Sequence, residues 1–114
     1  MFRKTTFDYF NSTPFIAGGN RRGLGFDKPE LNPLKQGPTC YCVSPKSFGH
    51  SGFTGTFAWA DPETGLLYIF LSNRVYPSSE NNKITEMSIR SKILEVLTES
   101  IKVKDTDESL VEVK

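Results

Sequence analysis

The alternation of apolar and polar positions is clearest over residues 47–73, SFGHSGFTGTFAWADPETGLLYIFLSN. Phe53, Phe57 and Trp59 alternate with small or polar residues, close to the period of two that is typical of a strand with unlike faces. Residues 66–71, LLYIFL, form a continuous apolar run of strand length, which predicts a central strand covered on both faces. This stretch therefore predicts two strands.

A tight turn is predicted between these strands. Residues 61–65, DPETG, contain Pro62, which presets φ, and Gly65, which readily takes up positive φ. A His-Ser-Gly triplet at residues 50–52 stands at the start of the first strand. The chain from the triplet to the end of the apolar run is thus predicted to be a hairpin.

An amphipathic helix is predicted after the hairpin, in the segment of residues 81–102. The helical pattern itself covers residues 83–102. Its apolar row recurs every four positions and has two flanking members: Ile89, Ile93, Leu97 and Ile101, with Leu94 and Val96. This row should pack on one face of the sheet. Residues 103–114 are charged and carry no such row, so a disordered tail is predicted there, with an edge strand at residues 110–113 as the alternative.

The first part of the chain lacks clear periodicity. Residues 1–20 are aromatic and polar, and are predicted to be a connecting segment whose Phe side chains cover a core elsewhere. Four prolines within residues 28–47 exclude a regular helix and indicate a long loop. Because long loops in small domains often border a site, and this one leads to His50, residues 21–73 are predicted to hold the strands, the loop and one edge of a site.

Composition and charge narrow the classes of partner. A chain of 114 residues has room for one domain with a modest core. The net charge of +1 points to neither a nucleic acid nor an anionic membrane, and the paired Arg21 and Arg22 are interpreted as solvated surface. No apolar run approaches the roughly 20 residues that span a bilayer. No signal peptide is recognised in this chain, so an exported parent protein would carry its signal upstream of Met1.

The cysteines and the single histidine do not form a metal-binding pattern. Cys40 and Cys42 are separated by one residue, a spacing at which a disulfide would be strained, so two free thiols are predicted. A zinc site needs about four ligands, and two Cys with His50 fall short of that number. Neither a metal nor another cofactor is therefore expected.

The order of features from Arg21 to Ile101 resembles the serine β-lactamase and penicillin-binding-protein superfamily, in particular its class C-like serine hydrolases and esterases. In that family a Lys/His-Ser/Thr-Gly triplet opens the third strand of an antiparallel sheet that edges the active site, and residues 50–52 match it. The Gly-Leu-Gly-Phe stretch at residues 23–26 is similar to a family strand that leads towards the triplet. The resemblance implies an α+β fold, in which an antiparallel sheet of about three strands is packed by a C-terminal helix. It would be a partial β-lactamase/transpeptidase-like fold within the single unit of residues 1–114.

The resemblance also implies a role for each residue of the triplet. His50 would lie near the substrate and the groups that transfer protons, and Ser51 would offer its hydroxyl to a substrate carboxylate or carbonyl. Gly52 would let the substrate backbone approach the strand, which a Cβ would hinder. The backbone N–H of Phe53 would complete an oxyanion hole, in which one donor contributes roughly 3–4 kcal/mol to a transition state.

Two motifs of similar enzymes are missing from the chain. Their nucleophile is the serine of a Ser-x-x-Lys, yet no serine here is followed three residues later by lysine. Tyr9-Phe10-Asn11 has the letters of their Tyr-x-Asn motif without a helical domain around it, and is interpreted as chance. The predicted function is therefore the C-terminal piece of a serine acyl hydrolase of β-lactamase, esterase or peptidase type, inactive alone. Its parent would be exported to the periplasm or cell envelope and act on a small-molecule or peptide acyl substrate.

Histidine at position 50 bears on the chemistry of that parent. Histidine is only partly charged near neutral pH, whereas the lysine of the family triplet is fully charged. This difference weakens the case for hydrolysis of β-lactams and leaves esterase or peptidase chemistry open.

Two alternatives to this interpretation stay open. Residues 49–53, GHSGF, approach a Gly-x-Ser-x-Gly nucleophile motif, but the fifth residue is Phe, and His50 and Ser51 should point to opposite faces of a strand. The other alternative is a small self-contained α+β binding or assembly module without catalysis. Without the rest of the family fold, the LLYIFL strand would be under-covered on one face, which predicts exposed Phe and Tyr patches, homodimerisation through the sheet or marginal stability.

Overall fold

The structure is a computed structural model that describes the backbone of residues 2–106 and the side chains of residues 2–101. Its centre is a three-stranded antiparallel sheet in the order β1-β2-β3. Strand β1 is Phe48–Ser51, β2 is Phe57–Asp61 and β3 is Leu66–Phe70. The prediction of an α+β fold, with about three antiparallel strands packed by a C-terminal helix, is confirmed.

The turn between β2 and β3 has the chemistry that the sequence predicts. Gly65 lies at φ 75° and its N–H donates to the carbonyl of Asp61 at 2.9 Å. The Asp61 carboxylate also accepts from the N–H of Glu63 at 3.0 Å, and from the N–H of Ser44 at 2.8 Å. One aspartate therefore shapes the turn and anchors the long loop that precedes β1.

A second turn, which the sequence interpretation missed, separates β1 from β2. The N–H of Gly52 donates to the carbonyl of Thr56 at 2.9 Å, and Gly55, at φ 93°, donates to the carbonyl of Gly52 at 3.0 Å. The prediction of one strand running from the triplet through Phe53 is wrong, because Gly55 permits a reversal of the chain. His50 consequently lies on a strand that is separate from β2.

The stretch at residues 23–26 forms no strand, in contrast to the prediction. The N–H of Gly23 donates to the carbonyl of Phe26 at 3.0 Å across a bend in which Gly25 has φ 95°. Only Asp27, directly after the bend, pairs with β1 as an isolated bridge.

Helices come before and after the three strands along the chain. Helix α1 covers Lys4–Asn11, where the sequence predicted a connecting segment, and a short 3-10 helix follows at Ile16–Gly18. Phe7 of this segment packs on Phe48, whose ring lies 5.2 Å away and which is not one of the buried core residues.

The predicted C-terminal helix is divided in two. Helix α2 covers Lys83–Glu86 and helix α3 covers Ile89–Thr106, with a break at Ser88, which has φ 52°. A positive φ lies outside the right-handed helical region, so the helix is interrupted at this residue. A disordered tail was predicted from residue 103, but helix α3 continues to Thr106. The rest of that tail lies outside the described residues.

The core lies between one face of the sheet and α3. Trp59 and Tyr68, neighbours on β2 and β3, are buried together with Leu94 of α3. The buried face of α3 carries Leu94 and Thr98, whereas Ile93 of the predicted apolar row is 38% exposed. The helix thus packs on the sheet as predicted, but it is turned about its axis relative to the predicted row.

Strand β3 is an edge strand and not the covered central strand that the sequence predicted. On the face opposite α3, Leu67, Ile69 and Leu71 are 65%, 58% and 79% exposed. An under-covered face was expected, but its members on this strand are aliphatic rather than Phe or Tyr, since Tyr68 points to the core. We call this surface, with Ala58 of β2, the open face.

The cysteines form a disulfide, so the prediction of two free thiols is wrong. Cys40 and Cys42 are bonded, with their Cα atoms 5.2 Å apart. The turn at Tyr41 brings the two Cα atoms into the usual range for a disulfide, about 4.4–6.8 Å. Both cysteines pack against the buried core residues.

Candidate active-site edge

Strand β1 is held by main-chain pairing on both sides. On its inner side, His50 lies opposite Ala58 and Ser51 lies opposite Phe57 of β2. On its outer side, the N–H of Asp27 donates to the carbonyl of Gly49 at 2.8 Å, and the N–H of Gly49 donates back to Asp27 at 3.1 Å. The position of the triplet is therefore fixed by backbone bonds to two separate segments.

The outer edge of β1 is open beyond this bridge. In an antiparallel strand the main-chain N–H and C=O groups of successive residues point to alternate sides. Gly49 bonds outward to Asp27 and Gly52 bonds inward to Thr56, so the N–H and C=O of Ser51 point outward. Apart from the bridge at Asp27, no strand among residues 2–106 pairs with this edge.

The side chains of His50 and Ser51 lie on opposite faces of β1, as alternation along a strand requires. Both side chains are exposed. Within residues 2–101 the Ser51 hydroxyl makes no hydrogen bond to a histidine, a lysine or a carboxylate. The arrangement gives Ser51 no general base of the kind that activates a nucleophilic serine.

Two apolar depressions meet at His50. One has a volume of about 280 Å³ and is lined by the triplet together with Ala58, Ile69 and Leu71. The other has a volume of about 210 Å³ and lies towards Phe48 and Leu67. His50 is thus the polar group at the centre of an otherwise apolar surface, which suits an acyl group or a covering segment of protein.

Phe53 lies in the turn after the triplet and is 70% exposed. Its backbone N–H takes part in no hydrogen bond in the described part of the chain, so this donor is available to a ligand. The guanidinium carbon of Arg74 lies 4.6 Å from the centre of the Phe53 ring, and the N–H of Arg74 donates to the carbonyl of Thr54 at 2.9 Å. Arg74 therefore supports the turn, a role that no local pattern in the sequence indicates.

Gly49 and Gly52 differ in what an added side chain would meet. A Cβ added at Gly49 would collide with the carbonyl of Ala58 and with the ring of Trp59, whereas one added at Gly52 would meet the Thr56 hydroxyl at 2.6 Å. Gly49 is thus required by packing inside the protein. Gly52 adjoins a hydroxyl on a side chain that can rotate, and it faces the exposed surface.

The paired arginines are not simply solvated surface. Arg21 lies 3.0 Å from the carboxylate of buried Asp27, and Arg22 lies 3.7 Å from it. Buried carboxylates need such partners, because an unpaired buried charge is costly. The two arginines consequently stabilise the residue that pairs with β1, and the prediction of a purely solvated role is wrong.

The described residues form neither a metal-binding cluster nor a membrane-spanning helix. Among the described residues, no three His, Cys, Asp or Glu side chains come together in a way that could hold a metal ion. No helix of those residues is long and apolar enough to cross a membrane.

Comparison with known proteins gives one family. The family model described as Beta-lactamase matches residues 3–89, which is more than half of the 114 residues. The matched region contains all three strands and the triplet, and it ends at the first residue of α3. Comparisons with curated proteins and with solved structures returned no significant match.

Proposed function

Because this chain belongs to the Beta-lactamase family, we propose that it forms the C-terminal wall of the active site in a serine acyl hydrolase of β-lactamase, esterase or peptidase type. The observation that carries the proposal is the open outer edge of β1 at Ser51, at the position of the family triplet. An exposed strand edge can pair with an extended ligand through main-chain hydrogen bonds.

In this proposal the substrate lies along that edge. The N–H of Phe53, two residues beyond Ser51, is free to donate to the carbonyl oxygen that becomes negatively charged in the transition state. Gly52, between them, is exposed and carries no side chain, so the substrate can approach the main chain there. His50, on the apolar open face, would contact the acyl group and the groups that transfer protons.

We further propose that the nucleophile comes from a part of the protein outside this sequence. No Ser-x-x-Lys is present among the 114 residues, and Ser51 has no base in hydrogen-bond reach within residues 2–101. The chain alone is therefore proposed to be inactive towards small-molecule and peptide acyl substrates. The parent protein would be exported to the periplasm or cell envelope.

Histidine at position 50 bears on the kind of hydrolase. At this position the protein lacks the lysine ammonium, a compact positive charge that would attract a substrate carboxylate. Esterase or peptidase activity is therefore favoured over the hydrolysis of β-lactams.

The open face supports a proposal about association. Leu67, Ile69 and Leu71 form a contiguous aliphatic row on an edge strand, which is the kind of surface that pairs with another chain. We propose that the isolated chain forms homodimers through this face. In the parent protein the same face would be covered by additional structure.

The experiment that tests the proposed function starts from the coding sequence upstream of Met1. We expect it to encode a Ser-x-x-Lys, and we expect the longer protein to be labelled by a fluorophosphonate on that serine. His50→Ala in the longer protein should lower kcat/KM for an activated ester by about 10²-fold, while Ser79→Ala, at an exposed loop position, should not change it. Labelling of Ser51, or a longer protein without that motif, would refute the proposal.

A further inference from the structure

A separate cavity of about 600 Å³ lies between α1 and the loop that precedes β1. It shares no lining residue with the two depressions at His50. Its walls carry apolar side chains, three lysines and one carboxylate, that of Asp8, beside neutral polar residues. The apolar members are Phe7, Pro45 and Pro62, and the lysines are Lys4, Lys28 and Lys46. The volume lies within the range of roughly 300–1,000 Å³ that is usual for small-molecule sites.

Lys28 is the unusual member of this lining, because it is only 3% exposed. Its Nζ donates to the side-chain oxygen of Asn11 at 2.8 Å, and the amide of Asn11 is itself held by a bond to the carbonyl of Lys46 at 3.1 Å. An ammonium group has three donors, so this arrangement uses one of them. The site is therefore built around a buried cation that has unused hydrogen-bonding capacity.

The charge of Lys28 has no partner at close range. None of the ion pairs within residues 2–101 includes Lys28. The attraction of Asp61 reaches it, but the Asp61 carboxylate already accepts two bonds from Ser44, at 2.8 and 2.6 Å. Burial lowers the pKa of the Lys28 amine, and Asp61 only partly opposes this shift. Such a group gains stability when a counter-charge is brought to it.

The other two lysines of the lining differ in how far their charge is compensated. Lys4 is bound to Asp8 at 2.7 Å, so its charge is compensated. Lys46 lies 3.9 Å from Glu63, and both of these side chains are exposed, which makes their attraction weak. Lys46 is thus available at the mouth of the cavity, while Lys28 lies at its wall.

We propose that this cavity binds a small organic anion, either a carboxylate or a phosphate. The anionic group accepts hydrogen bonds from Lys28 and Lys46, and the apolar part of the ligand lies against Phe7, Pro45 and Pro62. The ligand supplies what the buried ammonium lacks, namely an oxygen acceptor with negative charge. This binding is independent of the active-site edge on β1.

The test is a titration of the purified chain with benzoate, with phenyl phosphate and with inorganic phosphate, followed by NMR of labelled protein. We expect saturable chemical-shift changes at Asn11 and Lys28. Of benzoate and phenyl phosphate, the one that carries the preferred anionic group should bind more tightly than inorganic phosphate does. Lys28→Met should weaken binding by about tenfold or more. Lys35→Met, on an exposed lysine outside the cavity, and His50→Ala should leave it unchanged.

A second variant keeps the test decisive if Lys28→Met does not fold. Lys46→Glu reverses an exposed charge at the cavity mouth and should weaken anion binding severalfold in a folded protein. The proposal is overturned if no saturable shift occurs at Asn11 or Lys28, or if the folded variants bind both aromatic anions as well as the wild-type chain does.

Discussion

Asp27 and Gly49 exchange two main-chain hydrogen bonds, of 2.8 and 3.1 Å, at the outer edge of β1. This pair stops one residue before His50 and leaves the outward N–H and C=O of Ser51 without a strand partner among the described residues. The Asp27 side chain is held in turn by Arg21 at 3.0 Å. The bend at residues 23–26 thus fixes the strand without occupying the edge that the proposed substrate needs.

Packing at Gly49 gives the first prediction. Gly49→Ala should destabilise the chain by about 1–3 kcal/mol, because the new Cβ collides with the Ala58 carbonyl and the Trp59 ring. Gly18→Ala is the matched control, since a Cβ there meets nothing within 4 Å. Urea unfolding followed by Trp59 fluorescence measures both. Equal stability of the two variants would show that Gly49 is not packed as described.

The second prediction concerns an unsatisfied hydroxyl in the core. The side-chain oxygen of Thr98 on α3 is buried and has no hydrogen-bond partner in the described structure. Thr98→Val removes this polar group while keeping its shape, and should stabilise the chain by about 1 kcal/mol. Thermal unfolding is the measurement. A loss of stability would mean that the hydroxyl has a partner, such as a buried water.

The third prediction follows from the buried Lys28. Burial lowers the pKa of Lys28 in the folded protein below its ordinary value of 10.5, so the unfolded chain holds this proton more strongly. Unfolding then takes up a proton, and the wild-type chain gains stability as the pH rises from the folded pKa towards 10.5. Lys28→Met lacks this gain, so its stability relative to wild type should be greatest near neutral pH and fall towards pH 10.5.

Urea unfolding over this pH range measures the effect. Lys35→Met, an exposed-lysine control, should show a difference from wild type that stays constant with pH. If the stability of Lys28→Met relative to wild type stayed constant or rose towards pH 10.5, the described burial would be contradicted.

The fourth prediction concerns the open face. Sedimentation of the isolated chain should show a dimer whose population rises with concentration, because the exposed aliphatic row lies on an edge strand. Ile69→Lys places a charge in the middle of this row and should shift the chain to monomer. Leu34→Lys changes an equally apolar but 92% exposed side chain elsewhere, and should leave association unchanged. A wild-type chain that stays monomeric at high concentration would exclude this interface.

Features that depend on local chemistry were accessible from the sequence. The turn at residues 61–65 and the two strands that it joins follow from Pro62, Gly65 and the apolar run, and the structure contains all three. The helix after them was also expected, because its apolar residues recur with a helical period. The family resemblance, carried by the order of these elements, agrees with the family match over residues 3–89.

Features that depend on distant contacts were not accessible. The turn between β1 and β2 was missed because Phe53 and Phe57 continue an alternating pattern across it, while Gly55 reverses the chain. The orientation of α3 depends on bonds to remote carbonyls, such as that from Ser91 to Pro38 at 3.3 Å. The ion pair between Arg21 and Asp27 likewise needs the fold before it can be seen.

The roles given to the candidate site residues remain predictions. The structure places His50 and Ser51 on an edge strand, and the Phe53 N–H makes no hydrogen bond among the described residues. The partner groups that would use them lie outside this sequence in the proposed function. No local pattern could therefore supply the complete site.

The central claim, a wall of an active site without its nucleophile, is tested most directly by intact mass. The purified chain would be incubated with a reactive penicillin and with an activated ester, beside a Ser51→Ala variant. We expect an unchanged mass for both proteins with both reagents. A stoichiometric acyl adduct on Ser51, absent from the variant, would contradict it and make this chain an acyl enzyme in its own right.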